Sequence, residues 1–326
     1  MIKRNLIKRV MAAGAIMAVT LSLAGCGIGG NSVKLGAAGV GGGYYAFSNA
    51  FAQIASEEDE DLDFEVKATA GSTANIRLLS DGYVDMAIAQ ADLVDAAYNG
   101  TGVTDKKRYR GYSAVASLYT EACQIVVRAD SGIDSLDDLQ GKKVSVGEEE
   151  SGTQRNAEQI LKMTGLVESL VDTVNLDYVD AANELKSGQI DAFFCTAGIQ
   201  TSVIEELSKE CDVKLIGIDD KCRDRLKSVY GFYTDYTIPA GTYEGQDQDV
   251  ETLGVRAVLL ARDDMDEEIV EELTGLLFEH SQDIQYSIPL TFQIDESEAV
   301  KNVTIPFHDG AKAYYQKKRI ELPAEQ

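Results

Sequence analysis

Residues 33–55 read VKLGAAGVGGGYYAFSNAFAQIA. An apolar, strand-like run ends in Gly39, Gly41, Gly42 and Gly43, and an amphipathic helical pattern starts at Tyr44. Glycine at such a junction permits a tight turn and a close approach to the backbone. Strand, short loop and helix make the unit of a parallel sheet, and the unit repeats along the chain. DFEVKATA (63–70), DMAIAQ (85–90) and YSAVASLY (112–119) read as strands, separated by the helical segments TANIRLLSDG (73–82) and DLVDAAYNG (92–100). After Glu121 the same rhythm resumes in QIVVRA, KKVSVG, NLDYV, DAFFCTA and VKLIGI, with helices such as TQRNAEQILKMTG (153–165) and TSVIEELSKE (201–210) between them. This alternation predicts an α/β fold whose parallel sheet is covered on both faces.

Helix boundaries are legible too. Ser151-x-x-Gln154 and Ser202-x-x-Glu205 have capping-box spacing, and Gly141, Gly165 and Gly188 stand where helices would end. Residues 236–261 form a polar, glycine-bearing connection that runs into one long apolar strand, and helical patterns follow from Glu267 and from Asp309. A last section with helices but few strands is expected to complete an earlier sheet. Two lobes result, 33–120 with 236–326 and 121–235, with a hinge expected near 119–122 and 236–242.

The chain opens with MIKRNLIKRV followed by an apolar run that is too short to cross a bilayer comfortably. This is the layout of an export signal over 1–25. Leu23-Ala24-Gly25-Cys26 resembles the bacterial lipobox, which makes Cys26 the expected lipidation site and 26–32 a tether; the plainer reading is an ordinary signal peptide with an incidental cysteine. The protein is then expected outside the cytoplasm, anchored by lipid to the outer face of the cell membrane. Removing the four basic residues of the signal takes the net charge from −24 to −28, a surface that repels nucleic acid and anionic head groups. Cys123, Cys195, Cys211 and Cys222 show no metal-finger spacing; Cys211 and Cys222 are the nearest pair for a disulfide, and free buried thiols are the alternative. His280 and His308 belong to no catalytic or zinc motif, and no metal site is expected.

Ligands of open α/β sheets bind where strands end and helices begin. Small residues and hydroxyls recur there: the glycines before Tyr44 and Tyr45, then Ala70-Gly71-Ser72-Thr73 with Asn75, Gln90-Ala91-Asp92, Ser151-Gly152-Thr153 and Thr196-Ala197-Gly198. Unpaired N–H groups and a partial positive charge at a helix N-terminus suit a carboxylate. Any single loop of this kind reads as an ordinary cap or turn, whereas five at corresponding strand ends point to a cleft. The glycines fit neither nucleotide fingerprint, so no cofactor is expected.

In order along the chain, GGGYYAFSNAFAQI, AGSTANIRLLSDGYVDMAIAQADLVDAAYNG, SVGEEESGTQRNAEQIL, ELKSGQIDAFFCTAG, TIPAGTYEGQDQDV and PFHDGAKAYYQ resemble the solute receptors of TAXI-type TRAP transporters, from about Val33 to Gln316. The resemblance implies a two-lobed periplasmic-binding-protein fold of type II kind that closes on a small organic acid or amino acid, commonly glutamate, glutamine or a 2-oxo dicarboxylate. It implies delivery to a TRAP membrane permease driven by an ion gradient, and a receptor that acts as a monomer and not as an enzyme. Carried over by position, Tyr44, Tyr45, Ser72, Asn75, Gln90, Ser151, Gly152, Thr153 and Gly198 match its ligand-lining motifs. Two departures stand out: EEESGT replaces the usual Ala-Pro-Gly-Ser-Gly-Thr, and Ala46 replaces a proline after the tyrosines. Glu148, Glu149 and Glu150 would repel a doubly charged acid. Either they point to solvent, or one faces the cleft and selects a ligand with an ammonium group. An enzyme on the same scaffold, with Cys195 as its one candidate nucleophile, and a surface lipoprotein without a transport role are the rival readings.

Overall fold

The computed structural model describes residues 31–60, 62–102, 106–167, 169–288 and 294–323. The expected signal segment and Cys26 lie outside them. The chain first runs β1 (Asn31–Gly36), α1 (Gly43–Glu58), β2 (Leu62–Lys67), α2 (Ser72–Ser80), β3 (Met86–Gln90) and α3 (Ala91–Asn99). The long strand β4 (Tyr112–Arg128) carries it into a second half of β5 (Lys143–Ser145), α4 (Gly152–Thr164), β6 (Asp172–Val174), α5 (Tyr178–Ser187), β7 (Ala192–Ala197), α6 (Ser202–Glu210), β8 (Val213–Leu215), α7 (Asp220–Tyr230) and β9 (Thr234–Ile238). It returns through β10 (Val250–Arg262) to α8 (Glu267–Glu279), α9 (Ser281–Ser287) and α10 (Asp309–Lys318). Asn31 and Ser32, read above as tether, open β1 and pair with Leu62 and Asp63.

The strands hydrogen-bond in the order β2-β1-β3-β10-β4-β7-β5-β6, with β8 on β4 and β9 on β10. Each half has a parallel core, β1 with β2 and β3 in the first, β5 with β6 and β7 in the second. The expectation of an all-parallel sheet is corrected at β4 and β10, which run antiparallel to each other and to β3 and β7. The reason is topological. Crossover helices return a strand in parallel, but a chain that passes into a second half and comes back lays down two opposed strands.

Burial divides along those two strands. Leu35, Phe47, Phe51, Ile88, Val115, Tyr119, Leu259 and Tyr315 share one core, whereas Cys123, Ile125, Val144, Ile160, Phe194 and Val255 belong to another. α1 turns Tyr44, Phe47, Ser48, Phe51, Ala52 and Ala55 inward at helical spacing; burying one phenylalanine contributes about 1.5–3 kcal/mol. The buried clusters change over at 119–122 in β4 and again at 255–257 in β10. The second crossing was expected near 236–242 and is not there, because Ile238 packs with Ala122 and Ile199, and Tyr243 packs with Phe193 and Ile204, all in the second half. At the crossing Gly254 is opposite Ala122, and a Cβ there would stand 2.4 Å from Thr120 Cγ2.

Two local expectations differ as well. Ser202 is not the cap of α6; Thr201 holds that position, and both hydroxyls donate to the Gly41 carbonyl at 3.3 and 3.2 Å. Cys211 and Cys222 are free thiols, because Cys222 is buried in the core beside α4 while Cys211 packs with the separate cluster around Phe193.

Candidate functional site

Four helices begin at one place between the halves. α1 and α2 start there from the first half, α4 and α5 from the second, each a short loop after a strand, and their first turns line one cavity. The opening N–H groups of a helix have no intrahelical acceptor, so this convergence concentrates donors and partial positive charge. The halves touch around it. Thr73 N and Ala74 N donate to the Glu150 carbonyl at 3.1 and 3.2 Å, and Gln90 Nε2 donates to Asn156 Oδ1 at 3.0 Å.

Of the residues singled out in the sequence, Tyr44, Ser72, Gln90, Ser151, Gly152 and Thr153 line this cavity. Ser72 Oγ accepts from Gln90 N at 3.1 Å, fixing the end of β3 to the start of α2. Ser151 caps α4 by accepting from Gln154 N at 2.9 Å. A Cβ on Gly152 would stand 2.5 Å from the Gln90 carboxamide carbon, so only glycine lets α4 approach β3 this closely. Thr153 Oγ1 lies 2.6 Å from Tyr178 OH and accepts from Thr196 N at 3.2 Å, while Tyr178 OH donates to the Thr196 carbonyl at 3.1 Å.

Tyr45, Asn75 and Gly198 do not line it. Tyr45 is half-buried against the first core, on the face of α1 next to the one that carries Tyr44. Asn75 is fully buried and spends its amide on the chain: Nδ2 donates to the carbonyls of Ala37 and Ile88, and Oδ1 accepts from Thr69 Oγ1 at 2.6 Å. Gly198 is buried one residue past β7, and its neighbour Thr196 holds the wall instead.

The three glutamates separate into three environments. Glu148 is on the cavity wall, its carboxyl pushed above the usual range by burial and then by Asp177. Glu149 is exposed and edges a second groove with Tyr230. Glu150 has φ 65°, and its carboxylate takes two hydrogen bonds from Arg77, at 3.1 Å from Nε and 2.6 Å from Nη2, across the mouth of the cleft. Of the three, Glu148 alone lines the cavity, the position the second alternative asks of one glutamate, while Glu149 is exposed and Glu150 pairs with Arg77.

Three polar lining residues escaped sequence reasoning: Glu121, Asp177 and Tyr178. Thr196 was inside a loop already noticed. Asp177 and Tyr178 were hidden in NLDYV, read as strand; β6 ends at Val174, and Asp177 caps α5 by accepting from Asp180 N at 2.8 Å. Glu121 had one signal, a lone carboxyl in the middle of the apolar run of β4. It is 3% exposed, opposite Val255 at the crossing, and Tyr44 OH donates to its Oε2 at 2.6 Å. Burial pushes its pKa up to about 8, against the hydrogen bonds from Tyr44 and Gln90. Burial and Glu121 together raise Tyr44 well above the phenol range. Cys195, the one candidate nucleophile, is fully buried, and burial pushes its thiol well above the usual range, surroundings that disfavour a thiolate.

Three carboxyl groups, Glu121, Glu148 and Asp177, line the cavity, and among the described residues no lysine, arginine or histidine does. The site pairs helix starts, which favour an anion, with carboxylates, which favour a cation.

Solved structures share the architecture. A protein of Bordetella bronchiseptica RB50 is 16% identical, with a TM-score of 0.58 over 89% of this chain and 98% of that one. PhnD1 from Prochlorococcus marinus, in complex with methylphosphonate, is 14% identical, with a TM-score of 0.54 over 89% and 99%. A protein described as an L-cystine ABC transporter of Listeria monocytogenes is 13% identical, with a TM-score of 0.51 over 79% and 94%. At such identities the likeness is one of fold, the two-lobed architecture of periplasmic solute-binding proteins. A sequence profile of the NMT1-like family matches residues 35–318, and the chain belongs to that family.

Proposed function

We propose that this chain is an extracytoplasmic solute receptor that holds a small organic acid or amino acid, of the glutamate, glutamine or 2-oxo dicarboxylate kind, between its halves and delivers it to a membrane permease. The observation that carries the reading is the cavity itself, built from four helix starts contributed equally by the two halves, with hydrogen bonds joining the halves around it. The carboxylate of the solute would sit at the starts of α1 and α4, taking their N–H groups. Micromolar affinity needs about 8 kcal/mol, which three or four charge-assisted hydrogen bonds of about 1.5–3 kcal/mol each would supply with enclosure. Opening would pivot on the crossings at 119–122 and 255–257, where β4 and β10 are the strands common to both halves.

Resemblance to TAXI receptors supports an ion-gradient-driven TRAP permease as the partner and lipid on Cys26 as the anchor. An ABC permease is the second reading, favoured by the fold shared with the Listeria protein. Mass spectrometry of small molecules released on denaturing gently purified protein tests the receptor itself. One small acid or amino acid near equimolar amount is expected; no released solute and no thermal stabilisation by any such metabolite would contradict it.

A further inference from the structure

The described faces of the cavity give a buried carboxyl group no positive partner. Glu121 is 3% exposed and its contacts are neutral or acidic: Tyr44 OH from α1, the Gln90 amide at the end of β3, and the field of Asp92 on α3. Tyr119 and Cys123 on β4, Cys195 on β7 and Tyr178 on α5 also feel its charge, and each is a neutral acid held protonated by burial. Glu148 and Asp177 line the same cavity. A carboxylate in such surroundings must either keep its proton or receive a cation. A second, independent observation points the same way. Gln90 is 2% exposed and lines the cavity; its amide nitrogen donates to Asn156, and its Oε1 is buried with no donor. A buried carboxyl without a countercharge and a buried amide oxygen without a donor, in one cavity, point to a ligand that donates.

Resting on the receptor reading above, we propose that Glu121 and Gln90 Oε1 form the cation subsite of this cavity, that the solute carries an ammonium group, and that Glu121 gives up one proton to solvent when that group binds. The exchange balances: the neutral acid loses H⁺, and the resulting carboxylate is compensated by the ammonium of the solute, whose own carboxylate takes the helix starts. The free Glu121 acid titrates at about 8. Since the ionised form binds, affinity for an ammonium solute rises with pH by about tenfold per unit well below that value. The helix starts alone predict no such slope.

The test is calorimetry on the full chain, wild type and Glu121→Gln, at about pH 6 and about pH 7.5, in buffers of different ionisation enthalpy. The probes are L-glutamine and L-glutamate, with an α-ammonium group, and glutarate and 2-oxoglutarate, without one. The expected result is binding of the ammonium probes alone, affinity rising more than tenfold across the interval, and close to one proton released per solute near pH 6. Glu121→Gln should weaken binding at least about tenfold at the higher pH and abolish both the slope and the proton release. Should that variant not fold, Tyr44→Phe, which removes a donor that stabilises the carboxylate, should displace the slope to higher pH. Equal or tighter binding of glutarate or 2-oxoglutarate without proton release overturns the proposal and leaves the receptor reading intact. If no probe binds, solutes released from the denatured proteins decide: a basic nitrogen in a solute depleted from Glu121→Gln supports the proposal, a solute without one overturns it, and no solute overturns both readings.

Discussion

The floor of the cavity and the rim of its cleft each use a glutamate, and the two could hardly be placed more differently. Glu121 on the floor is buried beside a tyrosine hydroxyl with no cationic side chain among the described residues of the cavity wall, and its carboxyl is raised to about 8. Glu150 on the rim is about 41% exposed and holds Arg77 from the opposite half. Water screens the rim pair, which is worth about 0–1 kcal/mol despite its good geometry. The floor carboxyl has no screening and no countercharge, so its protonation state is coupled to folding and to whatever enters the cavity. Burial sets the two apart: one carboxyl is sealed from water, and the other ties one half to the other at the surface.

The largest expected effect breaks the comparison through pH. Between about 4.5 and about 8 the folded protein keeps the Glu121 proton that the unfolded chain has released. Its contribution to stability is therefore complete below about 4.5 and lost as pH rises through about 8, an effect on the order of a few kcal/mol. Urea midpoints of wild type and Glu121→Gln, measured on solute-free protein across this window, should converge or cross as pH rises, with the steeper fall in wild type. Parallel curves would show that the floor carboxyl is not held protonated.

Next in size is the close contact beside the floor. Gly152→Ala pushes a methyl into the Gln90 carboxamide and should cost about 1–3 kcal/mol, read as a lower urea midpoint and as weaker solute binding. Thr153→Val removes the hydroxyl shared by Tyr178 and Thr196 and should cost a similar or slightly smaller amount, about 1–3 kcal/mol, because the buried Thr196 N–H loses its acceptor. The smallest effect belongs to the rim. Arg77→Ala should cost no more than about 1 kcal/mol in stability, and the loss should vanish in about 1 M salt, whereas the Glu121→Gln effect should survive it. A rim substitution as costly and as salt-insensitive as a floor substitution would erase the distinction.

Much of the frame was legible in the sequence, because it is local. The glycines before Tyr44, the Ser151 cap and the alternation of strands and helices all depend on neighbours within a turn or two of chain. What could not be read depends on partners far away. Residues 236–249 look like a connection because Pro239, Gly241 and Gly245 interrupt them, yet Ile238 and Tyr243 are buried in the second half. Asn75 and Gln90 are both amides at the mouth of the same sheet. One satisfies backbone carbonyls and the other keeps an acceptor in the cavity, a difference set by the fold and not by residue type. Glu121 is the sharpest case, since a lone acid in an apolar strand signals that something polar must meet it without saying what.

A crystal structure of the protein with its own co-purified solute tests the central claim most directly. The account predicts the solute enclosed between the starts of α1, α2, α4 and α5, with a nitrogen within hydrogen-bond distance of Glu121 and Gln90 Oε1. A solute seated in the groove beside Glu149 and Tyr230, with Glu121 untouched, would contradict it.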